Sequence, residues 1–386
     1  MTAAAGLAQG VSRMTFAFVL PDMTEQVLGT YSVAGFLGAA NLGGYLIGVL
    51  VSATLTHIRP TSQVKAGVGL TLLGFALMAL SPTVWLLFVG MLTLGMASGI
   101  VWIAVIPVVA AHAPSRRRGL AYGLMMSGVG AGIASIGLFV RAADSWFGPS
   151  SWRETWLLEL AFGGIVLLLL VLLLEPVAGV PRRPRRTGDR PRRLGIHWLF
   201  VCYTCFGVSH ALFTHFLVAA LREDAGFTLA ESINVYSLLG LANIVGGLLL
   251  GRLSDRVGRR PILVGAMFAI SACASTIALA HGALLTSSGV FYGLLMSGFS
   301  TVVIAYLGDV VGPDRLPGAY AAITVAIGVG QMVGPPIGGA LADVSGSFES
   351  TYLLCGLVAA VGGIAATRMA DDRTLRRTGS STTALG

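Results

Sequence analysis

Two short stretches place chemically capable groups inside long apolar runs: GVSR, Gly10 to Arg13, and GVSH, Gly207 to His210. A guanidinium stays charged at physiological pH and presents a planar fork that matches a carboxylate. An imidazole, with a reference pKa near ~6.5, changes charge close to neutrality. An arginine at the centre of a hydrocarbon-spanning helix costs about 2.5 to 3.5 kcal/mol, so Arg13 needs a compensating partner. Resident acids are few. Glu159 is expected near the outer interface, Asp22 and Glu25 in an outer loop and Asp309 at a cytoplasmic helix end, none at the depth of Arg13. An anionic ligand is therefore the favoured partner, and a neighbouring side chain or carbonyl group is the plainer one. His210 reads as a second contact to that anion or as the carrier of a coupled proton, against a plain packing role. Asp309 is the other proton candidate. Gln9 stands one turn before Arg13 on the same helix face. Asn41, Asn243 and Gln331 lie at similar depth, and Trp102 is placed to wall a pocket. Interhelical hydrogen bonds and aromatic packing are the ordinary explanations for these residues. His215 lies closer to the outer end and carries less weight.

Membrane helices must position these groups. Of 386 residues, 55% are hydrophobic and 11% charged, too apolar a mixture to face water on all sides. Hydropathy divides the chain into twelve apolar segments, at 3–20, 32–55, 66–81, 84–112, 119–140, 155–174, 194–221, 233–250, 262–280, 283–307, 318–341 and 351–370. Each approximates the ~20 residues a spanning helix needs, and none shows the alternation of a barrel strand. The connections expected inside carry 21 of the 25 Lys and Arg residues, which places both termini in the cytoplasm; the expected location is a prokaryotic plasma (inner) membrane. The net charge of +8 follows from that asymmetry, so nucleic acid is not needed to explain it. The 175–193 stretch reads as an Arg-rich linker beside anionic lipid, between bundles at 1–174 and 194–370, with a tail at 371–386. Cys202, Cys205, Cys273 and Cys355 read as small buried hydrophobes without a metal site, and no GxxxxGK[ST] loop for ATP is present.

The two bundles repeat one another. GVSR matches GVSH; YSVAG and GGYLIG (31–35 and 43–48) match YSLLG and GGLLLG (236–240 and 246–251). LAYGLMMSGVGAG (120–132) matches GAYAAITVAIGVG (318–330). Repeated six-helix bundles imply alternating access to a shared site near the midplane, with small residues letting helices slide. Static packing is the plainer use of any one glycine.

GRLSDRVGRRP, Gly251 to Pro261, resembles the signature loop of the major facilitator superfamily, and VGQMVGPPIGG, 329–339, resembles its glycine-proline motif. The start of the chain, GVSRMTFAFVLPDM with AGFLGAANLGGYLIG, is similar to the YbfB-like branch. The resemblance implies an all-α fold of twelve helices. In the signature loop, Gly251, Asp255, Arg256, Gly258 and Arg259 are expected to form a conformational latch, with Asp255 meeting the positive end of the helix starting near Gly119. The first-half counterpart, 48–60, has no acid to make the second latch. The expectation is a monomeric secondary transporter, not an enzyme, that moves a small organic anion such as a monocarboxylate, with proton coupling and no cofactor. An exporter of apolar or cationic compounds is the rival within transport, and a sensor or lipid-acting enzyme is the rival outside it.

Overall fold

A computed structural model describes residues 1–55, 57–112, 118–177, 196–311 and 316–370, with only the backbone at 118–120 and 316–318. Most of the linker and the whole tail thus lie outside the described residues. Twelve helices among those described are long and apolar enough to span a membrane. They are α1 (Thr2–Leu28), α2 (Tyr31–Thr54), α3 (Pro60–Leu80), α4 (Val84–His112), α5 (Arg118–Phe147) and α6 (Trp152–Leu173). The second half holds α7 (Ile196–Glu223), α8 (Leu229–Val257), α9 (Arg259–Leu279), α10 (Ala283–Val311), α11 (Leu316–Ser345) and α12 (Glu349–Thr367).

Local chemistry sets the helix starts. The Thr30 side chain accepts from the Val33 amide to begin α2, and Thr228 and Glu231 close a reciprocal capping box on α8. Pro60 opens α3, where its missing N–H has no helical partner to lose. Gly258, at φ +110°, turns the chain from α8 into α9, a conformation that a Cβ would strain.

One boundary differs from the sequence expectation. α1 does not stop before Pro21 but continues to Leu28, so Asp22 is a buried helical residue and not part of a loop. Proline removes one backbone donor, and in a helix enclosed by others that loss is tolerated. Two π-helical turns, Gly6–Val11 and Thr24–Leu28, bracket the regular stretch of α1.

The halves meet through α1 with α7, α2 with α11 and α5 with α8. Exchanging each helix with its sequence repeat maps this set of contacts onto itself. Call the end where α1 begins and α12 finishes the terminal end, and the opposite one the far end. Among the described residues, the hydrogen bonds joining the halves run from Arg13 and Gln331 outward to the far end. There Arg222 pairs with Asp22 at 2.9 Å, and Arg141 of α5 bonds Asn234 and the Ala230 carbonyl of α8. Asp343 of α11 accepts from the Tyr31 and Ser32 amides at 2.8 Å each, which caps α2 from across the interface. The Tyr31 hydroxyl also bonds Glu223.

Candidate functional site

Arg13 lies just past the first π-helical turn, where α1 faces the second half. Its Nη1 donates to Gln9 Oε1 at 3.2 Å, and its Nη2 to Gln331 Oε1 of α11 at 3.3 Å. The guanidinium carbon lies 4.7 Å from the centre of the Tyr45 ring. Nε is buried without a hydrogen-bond partner. No carboxylate among the described residues pairs with this side chain. Neutral dipoles hold the cation in place and leave its net charge uncancelled. Gln9 is itself tied down, since its Nε2 donates to the Ser98 carbonyl of α4 at 3.1 Å.

A small cavity adjoins the guanidinium at the interface, lined by Arg13, Asn41, His210, Thr214, His215 and Gln331, with Met14, Leu42 and Ala211. Its volume of about 10 Å³ would admit about one water, so an organic molecule fits only when the halves separate. Asn41 donates to the Met91 carbonyl at 3.2 Å. His210 Nδ1 lies 3.1 Å from the Tyr292 hydroxyl, and its ring stacks parallel to Phe206. His215 packs its edge against Phe16, and its Nε2 would lie 2.6 Å from a Cβ placed on Gly38, so that glycine makes room for the imidazole.

The structure thus gathers Gln9, Arg13, Asn41, His210 and Gln331 at one place. It also brings in His215, to which sequence depth gave less weight, and Thr214, which the sequence reading did not single out and which shares the His210 helix face at i+4. Asn243 and Trp102 are not among the cavity residues. Asn243 is buried on α8, its backbone carbonyl taking a bond from Ser297, and Trp102 packs against the core. Asp309 stands remote at the terminal end of α10, paired with Arg259 at 3.3 Å.

The sequence expectation for Glu159 needs correction. Glu159 is not interfacial: it is fully buried within the first bundle, bonded to Thr15, two residues beyond Arg13 on α1. It nevertheless does not neutralise Arg13, because two residues along a helix turn a side chain about 200° away. Asp255 is bonded within its own half to Arg259 at 2.5 Å, and the side chains at the start of α5, where its latch contact is expected, lie outside the described residues. Arg259 also donates to Ser254 Oγ at 2.6 Å and bridges to Asp309, so it ties the ends of α8, α9 and α10 together. Gly258 supplies the turn between Asp255 and Arg259, Arg256 is exposed, and Gly251 lies on the last stretch of α8. Residues 113–117, ahead of α5, lie outside the described residues. Among the described residues, Asp343 meets a helix N-terminus across the halves, at the far end.

The sequence model of a family described as the uncharacterised MFS-type transporter YbfB matches residues 5–367. The chain is 27% identical to monocarboxylate transporter 13 of Bos taurus over 319 residues, 79% of this chain and 72% of that protein. It is 26% identical to monocarboxylate transporter 11 of Mus musculus over 91% of this chain and 81% of that one. In fold it resembles a bacterial homologue of the human lysosomal transporter Spinster, crystallised inward-facing and occupied, with a TM-score of 0.75 at 15% identity; the match covers 95% of this chain and 94% of that one. Twelve helices in two exchangeable halves, a polar site where they meet and a family match over nearly the whole length lead to one conclusion: this multi-pass membrane protein belongs to the major facilitator superfamily, among its YbfB-type transporters.

Proposed function

We propose that this transporter moves a small organic anion, a monocarboxylate by preference, by alternating access and together with a proton. The observation that carries the reading is Arg13: a buried guanidinium at the interface, held by two amide oxygens and a ring, with no resident acid among the described residues. An incoming carboxylate would find a bidentate donor already oriented, and the charge balance the protein leaves open would close on binding. Names of relatives support the substrate class, since both transporters above are called monocarboxylate transporters. His210 and His215 line the same cavity and can share the anion or the proton. With the Arg-rich connections in the cytoplasm, the terminal end faces inward and the bonded far end faces outward.

Proteoliposome uptake of labelled lactate, pyruvate, acetate and butyrate under an inward proton gradient tests this. Wild type should take up at least one of them. Arg13→Gln should lower that uptake about 10- to 100-fold, the worth of a charge-assisted pair at about 1.5 to 3 kcal/mol, and Arg13→Lys should retain part of it. Equal uptake by wild type and Arg13→Gln would refute the reading.

A further inference from the structure

A second ionisable group in α1's surroundings takes no part in the cavity. Glu159 Oε1 lies 2.6 Å from the Thr15 hydroxyl, and that hydroxyl oxygen lies 2.9 Å from the Val11 carbonyl oxygen. A hydroxyl has one proton to give and a carbonyl has none. If Thr15 donates to Val11, the short contact to Glu159 needs a proton on the glutamic acid. If Thr15 donates to a carboxylate instead, it faces the carbonyl with a lone pair. The neutral acid satisfies both contacts. Glu159 Oε2 is buried and unpartnered, a position that suits half of an uncharged carboxyl far better than half of an anion.

The packed neighbours offer no counter-charge. On α6 itself, Arg153 donates to the Ala79 and Ser81 carbonyls and stacks over Trp152. On α1, Arg13 is turned to Gln331. α3 brings Phe75 against Trp156, one turn from Glu159, while its Lys65 donates to the Leu174 carbonyl nearer the terminal end. On α5, Arg141 is bonded to α8. Among the described residues, no ion pair includes Glu159.

We propose that Glu159 is a proton-binding site of the transport cycle and that Thr15 relays its state to the substrate site. Loss of the proton from Glu159 to water leaves a carboxylate, and no other bond breaks. Thr15 then turns its own proton from the Val11 carbonyl to the new anion. Val11 closes the π-helical turn that contains Gln9, and Gln9 holds Arg13. Protonation at Glu159 is thereby felt, through one rotating hydroxyl, at the turn that sets the position of the guanidinium. This inference deepens the anion-transport reading and rests on it.

The test uses full-length protein with Glu159→Gln, which keeps the shape and a hydrogen-bonding group, and Thr15→Val as a second variant. With the same labelled panel, Glu159→Gln should retain anion exchange at zero gradient within about twofold and lose gradient-driven accumulation; Thr15→Val should reduce accumulation more than exchange. Infrared difference spectra should show a carboxylic-acid C=O band at neutral pH that Glu159→Gln abolishes. Accumulation by Glu159→Gln equal to wild type, or a band it leaves unchanged, overturns the proposal. Failure of wild type to move any anion would instead strike the anion reading, while the band would still decide whether Glu159 holds a proton.

Discussion

At the scale of single residues, Arg13 is restrained without being neutralised. Gln331→Leu removes an acceptor and leaves a buried donor unpaired, so it should cost about 1 to 3 kcal/mol in stability, read from denaturation in detergent. Gln331→Glu should act in the opposite sense. It supplies the resident anion that the site lacks, so the protein should melt no lower than wild type while anion uptake falls at least tenfold; unimpaired uptake would mean that Arg13 does not receive the anion. Much of this site was legible in the sequence, because a charge deep in an apolar run has few explanations and the GVSR/GVSH repeat pointed to His210, which lines the same cavity. Glu159 and Asp22 were misplaced for a geometric reason. Depth was counted from expected helix ends, and Pro21 was read as one of those ends, although α1 runs seven residues past it. His215 was undervalued on the same count.

At the scale of elements, the twelve helices were readable because the hydrocarbon thickness dictates their length, and the pairs that meet follow the symmetry of the repeat. The π-helical turns of α1 were not, since no residue type in GLAQGV demands an i+5 bond. Close contact across α2 and α11 depends on small residues: a Cβ on Gly339 would come within 2.0 Å of the Tyr31 carbonyl. The Asp343 contact with the start of α2 is worth about 0.3 to 2 kcal/mol as a charge at a helix N-terminus. Removing either feature should loosen the far end without unfolding the bundle. Spin labels at the exposed Glu25 and Glu349, in a background with all four cysteines replaced by alanine, should report a larger separated population for Asp343→Asn and for Gly339→Ala. An unchanged distance distribution in both would show that these contacts do not hold the far end closed.

At the scale of the whole molecule, the halves form one interface whose bonds among the described residues lie at and beyond the midplane, and the Asp22–Arg222 pair links α1 to α7 there. Reversing one charge, Arg222→Asp, should slow transport by opposing two acids, and Asp22→Arg combined with it should restore a large part of the rate; no rescue by the double variant would remove this pair from the gate. The cavity at the centre of that interface is too small for cargo, so binding must be coupled to movement of the halves, and a ligand that binds should stabilise the fold. Binding at 100 times the dissociation constant adds about 2.7 kcal/mol. The most direct measurement is therefore a thermal-shift comparison of wild type and Arg13→Gln against the four monocarboxylates. The account predicts a rise in melting temperature for wild type with at least one of them and none for the variant. The same rise in both proteins, or no rise in wild type with any of them, would contradict it.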